Sequence, residues 1–72
     1  MNTSEFVKEI NALRLQNKGK WYVWQGIVNN KQVVLKGYAT WLQVLKVDGL
    51  MIPTVSDMSV KDFKEILLNA VN

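Results

Sequence analysis

KWYVWQGIVNNKQVVLKGY, residues 20–38, decides how the rest of this chain can fold. It holds two of the three tryptophans, both tyrosines and three lysines, with no acid. Two runs rich in β-branched and aromatic residues, Trp21 to Val28 and Val33 to Tyr38, flank Asn29-Asn30. That composition predicts two strands, and asparagine accepts positive φ well enough to turn tightly between them. With Asn29 and Asn30 as the only turn residues, each residue pairs with the one whose number brings the sum to 59. Paired residues then share a face. Tyr22, Trp24 and Gly26 oppose Gly37, Leu35 and Val33, a nearly pure apolar set suited to packing under helices. Trp21, Val23, Gln25 and Ile27 oppose Tyr38, Lys36, Val34 and Gln32, a mixed set of rings, aliphatics and polar groups. A three-residue turn would instead pair Ile27 with Val33, Val23 with Gly37 and Trp24 with Lys36.

Working outward, Asn2 to Gln16 reads as a helix. Asn2 can cap it with Glu5 three positions on, and Phe6, Ile10 and Leu13, with Val7 alongside, form one apolar stripe. Asn17 to Lys20 stops it, with Gly19 suited to the left-handed turn. Trp41 to Val47 forms a third strand, Asp48-Gly49 signals a hairpin, and Leu50 to Ile52 returns as a short fourth strand before Pro53. The third strand has no clear inner side: Leu42 and Val44 compete with Trp41, Leu45 and Val47. Ser59 opens a last helix, with Asp62 placed to complete a capping box and an apolar face of Val60, Phe63, Leu67, Ala70 and Val71, Ile66 beside it. The expected fold is therefore α+β: one domain over residues 1–72, α-β-β-β(-β)-α, with an antiparallel three- to four-stranded sheet and both helices on one face.

That order of elements is also the order of the double-stranded-RNA-binding domain. The family's lysine cluster at the last helix and its Gly-Pro loop between the first strands are absent. Here those places read Ser59-Val60-Lys61-Asp62-Phe63-Lys64 and Asn29-Asn30. No residue role is carried over from it.

Composition narrows the chemistry. A 72-residue chain buries only about 60% of its unfolded surface, so small domains often add disulfides, metals or a second copy. This one has no cysteine and no histidine, which sets aside disulfides, the common zinc frameworks, the usual general base and a ready thiol nucleophile. Glu5 and Glu9 could share a helical turn, but they read as solvated charges near a helix N-terminus. Asp57 and Asp62 bracket a helix start, where capping accounts for them. The glycines are isolated and form no phosphate loop. No enzyme activity, cofactor or metal is expected.

The N-terminal stretch is charged too early for a signal peptide, and no apolar run approaches the ~18–20 residues of a membrane span. A cytoplasmic location with no membrane association is the default. Eight lysines against one arginine, and seven asparagines, suit an AT-rich bacterial or phage gene, in the second case acting in the host cytoplasm.

Net charge is +3, and the positive field belongs to the middle of the chain: Lys18, Lys20, Lys31, Lys36 and Lys46 precede the next acid, Asp48. Two helices can cover one face of the sheet, so the other must be covered by a partner, by a copy of the chain, or left exposed. Exposed apolar patches of a few hundred Å² commonly mark interaction sites. The expected function is a small non-enzymatic accessory or inhibitor protein that binds a protein partner through this face. The candidate residues are Trp21, Tyr38, Lys36, Gln25, Gln32, Lys20 and Lys31. The alternatives are nucleic-acid binding by the same face, with rings on bases and lysines on phosphates, and a homodimer with the face as its seam.

Overall fold

Asn29 and Asn30 both sit in the left-handed region, at φ 51° and 63°, and close the two-residue turn that the register requires. The computed structural model describes residues 1–72. Its elements run α1 (Thr3–Gln16), β1 (Trp21–Val28), β2 (Lys31–Tyr38), β3 (Trp41–Val47), β4 (Leu50–Met51) and α2 (Val60–Val71). The four strands form one antiparallel sheet in the order β1-β2-β3-β4. Trp21 pairs with Tyr38, Val23 with Lys36 and Trp24 with Leu35. The two-residue register is the one adopted, and the three-residue alternative is not.

β2 starts at Lys31, two residues before Val33, because the tight turn lets pairing begin at once with Val28. β4 is shorter than the expected Leu50 to Ile52. Asp48 and Gly49 turn at positive φ, and two residues later the chain leaves the ladder toward Pro53.

The ambiguity in β3 is resolved by a bulge. Lys36 pairs with Val44 and Gly37 with Leu42, which leaves Gln43 as an extra residue. An inserted residue restarts the alternation. Leu42, Leu45 and Val47 all reach the helix side, while Trp41, Val44 and Lys46 face the other way as partners of Tyr38, Lys36 and Val34. Strict alternation could never have put both Leu42 and Leu45 inside.

The core lies between the sheet and the helices. Phe6 and Ile10 from α1 and Phe63, Leu67 and Val71 from α2 close over Tyr22, Val28, Val33, Leu35, Leu42, Leu45 and Val47. Asn2 caps α1 in a complete box with Glu5. Ser59 accepts from the Asp62 amide at 3.1 Å, the forward half of such a box.

The β1–β2 turn also fastens the helices. The Asn29 side-chain amide donates to Thr3 Oγ1 at the start of α1 and to the Val71 carbonyl at the end of α2. Lys31 Nζ reaches the same carbonyl at 3.0 Å. The last turn of α2 has no basic residue of its own, so Lys31 brings a positive charge to the negative end of that helix dipole.

Candidate interaction face

The helix-covered and open faces of the sheet divide β1 residue by residue. Tyr22 and Trp24 point inward, and each lies over a glycine. A Cβ at Gly37 would sit 2.6 Å from the Tyr22 ring, and one at Gly26 2.6 Å from Trp24. The missing side chains make room for the rings to lie flat against the sheet. Tyr22 donates its hydroxyl hydrogen to the Ala39 carbonyl. Burial pushes its phenol up to about 12, against a smaller opposing pull from the Arg14 guanidinium. Trp24 packs 5.3 Å from Phe6 and donates through Nε1 to Glu9 Oε2 at 2.8 Å. Glu5 is engaged as well, its Oε1 accepting from the Asn2 amide at 3.2 Å. Both carboxylates of the α1 pair therefore have structural partners within the fold.

The open face centres on Trp21. Its ring lies 5.4 Å from Tyr38 with 60° between planes, and 5.4 Å from Trp41 with 54° between planes. Lys36 Nζ stands 4.9 Å from the ring centroid, a cation–π contact of the kind worth ~0.5–1 kcal/mol at exposed sites. Beyond the rings, Val23 (70% exposed), Ile27 (58%) and Val34 (40%) continue the apolar surface, with the half-buried Val44 beside Lys36. Gln25, Gln32 and Lys46 interrupt it. No acidic residue occurs between Lys18 and Val47, so the face has one sign of charge.

Of the candidate residues, the structure brings Trp21, Tyr38, Lys36, Gln25 and Gln32 onto this face. Lys20 is exposed just before β1. Lys31 lies apart: it pairs with Val28 on the helix side and its ammonium is held by α2. Three contributors from β3 were missed, Trp41, Val44 and Lys46. One signal for Trp41 was available, because a two-residue turn at Ala39-Thr40 pairs it with Tyr38 and so fixes its side. Val44 and Lys46 depended on the bulge at Gln43, which no residue pattern announced.

Comparison with known proteins returns no matching family model, no matching curated protein and no matching solved structure. The surface itself therefore carries the functional argument.

Proposed function

We propose that this domain is a non-enzymatic interaction protein that occludes part of a protein partner, seating Trp21, Tyr38, Trp41 and the valines around them against a weakly acidic surface. The observation that supports this reading over nucleic-acid binding is the packing of the rings on one another. Base stacking needs ring faces free to receive a flat base. Here the three rings meet at 54–60°, and Lys36 lies over the central one. The remaining area is aliphatic, which suits a protein contact with aromatic anchors and a polar rim. The lysines then steer encounter and select against basic surfaces.

The test is capture of partners from the source cell by the wild-type domain and by Trp21→Ala/Tyr38→Ala. Removing two anchors of this kind should weaken a protein contact by about 30-fold or more. Equal recovery with the double variant would refute the assignment. Lys20, Lys36 and Lys46 supply the charge that a nucleic-acid reading would use. In that case binding to DNA or RNA would fall with salt at a log–log slope of about −0.9 for each phosphate neutralised on a duplex. A much shallower salt dependence for the captured partner is the result expected here.

A further inference from the structure

The two edges of the sheet are finished differently. On the β3 side, β4 pairs with Lys46 and Val47, then the Ile52 amide donates to the Leu45 carbonyl at 2.7 Å and Thr54 Oγ1 donates to the Leu42 carbonyl. On the β1 side the edge is open. The pair closing a two-residue hairpin turn, here Val28 with Lys31, is a hydrogen-bonded pair. The ladder bonds of β1 therefore fall at Val28, Gly26, Trp24 and Tyr22, and the amides and carbonyls of Trp21, Val23, Gln25 and Ile27 point away from β2. Of these, only the Ile27 carbonyl has a partner, the Met1 amino group at 3.5 Å. Such an edge is a template for another strand.

What flanks the edge gives the chemistry of that strand. On the helix side a groove of about 800 Å³ runs between α1 and Trp24, with Met1, Ala12, Leu13 and the Trp24 ring as its apolar lining. Glu5 and Glu9 stand in its wall, and both carboxylates are already bonded within the fold. On the open side lie Val23 and, opposite it on β2, Lys36, whose ammonium reaches over the Trp21 ring. A strand alternates its side chains between these two environments. Apolar residues would enter the groove, and acidic residues would stand on the side of Lys36. Shifting that strand by one residue would move its acids away from Lys36 and into a groove whose wall already carries both signs, Glu5 and Glu9 with Lys8.

We propose that β1 accepts an extended segment of the partner, acidic and apolar at alternate positions, as a fifth strand of the sheet. This deepens the interaction-face reading and rests on it. A second copy of the chain fits less well, because its β1 carries no acid to set on the side of Lys36.

The probe is a synthetic peptide, acetyl-(Val-Glu)4-amide, compared with acetyl-(Val-Lys)4-amide and with a Val-Glu peptide N-methylated on every residue. The readout is amide hydrogen exchange and chemical shift in the intact chain. With the Val-Glu peptide in excess, the amides of Val23 and Gln25 should exchange about tenfold more slowly, as about 90% occupancy gives. The lysine and N-methylated peptides should give no protection. Gln25→Pro should abolish binding while keeping a wild-type thermal transition, since the lost N–H points out of the ladder.

Protection by the N-methylated peptide, or none by the Val-Glu peptide at millimolar concentration, overturns strand addition. So does protection of Val23 and Gln25 that grows with protein concentration alone, which would assign the edge to a second copy. A Trp21 indole shift without protection at Val23 and Gln25 also overturns strand addition but leaves the face reading standing. The face reading falls separately, on equal partner capture by Trp21→Ala/Tyr38→Ala.

Discussion

Tyr22 and Trp21 are neighbours in the chain, yet one is 4% exposed and the other 45%. The same contrast repeats at Leu35 and Val34, of which the first is 1% exposed. On the helix side every large side chain is fixed by something rigid: a glycine beneath it, a helix above it, or a hydrogen bond at its tip. On the open side the rings touch one another and a lysine, and the aliphatics touch little. A face assembled to hold the fold is over-determined. A face with large apolar side chains but few internal constraints contributes less to folding and leaves that apolar area exposed. The difference teaches that hydrophobicity alone does not distinguish core from site in a sheet of this size; the neighbours of each residue do.

The largest expected break in that contrast comes from truncating one adjacent residue on each side. Leu35→Ala should cost about 2–5 kcal/mol, the range for a fully buried leucine. In a chain this short such a loss takes most or all of the stability. Val34→Ala should change stability by no more than about 0.5 kcal/mol, while weakening partner capture. Urea titration of both variants tests this, and equal losses would erase the distinction between the faces.

A smaller effect is expected at the inward glycines. Gly37→Ala should cost about 1–3 kcal/mol, because Tyr22 is buried and tied to Ala39 and has no room to retreat. Gly26→Ala should cost less, since Trp24 is only half-buried and borders the open groove beside α1. Thermal melts of the pair give the order, and a larger loss for Gly26→Ala would contradict it.

The smallest effect concerns pH. The Tyr22 phenol is pushed from 10.0 up to about 12, so the folded state holds its proton where the unfolded chain has released it. The stability this represents is complete below pH 10 and is lost as pH rises through the folded value. Tyr22→Phe lacks that proton and also the bond to Ala39. Its deficit relative to wild type should be constant below pH 10 and should narrow between pH 10 and 12, measured by denaturation midpoints across that range. A gap that does not narrow would contradict the burial of the phenol.

The interior of the hairpin was legible down to a choice of two turn lengths; the structure, with Asn29 and Asn30 both at positive φ, takes the two-residue one, and that register sets the side of every residue from Trp21 to Tyr38. The element order followed from the caps at Asn2 and Ser59, the apolar stripes of the helices and the Asp48-Gly49 turn. The candidate site was readable on β1 and β2 for the same reason, with one exception. Lys31 looked like one more charge on a basic stretch, and its partner is the Val71 carbonyl, 40 residues away in sequence. Nothing local marks such a contact.

Local rules, then, determined which residues form strands and where the chain turns, and narrowed the first hairpin to two registers. Those follow from steric limits on φ and from the two-residue period of a strand, which act over a few residues. The tertiary structure alone decided that Gln43 bulges out of β3, which carries Val44 and Lys46 to the open face beside Trp41. It alone decided that the β3 edge is closed by Ile52 and Thr54 while the β1 edge stays open. Both outcomes depend on how segments distant in sequence share space around one core, and periodicity within a segment carries no information about that.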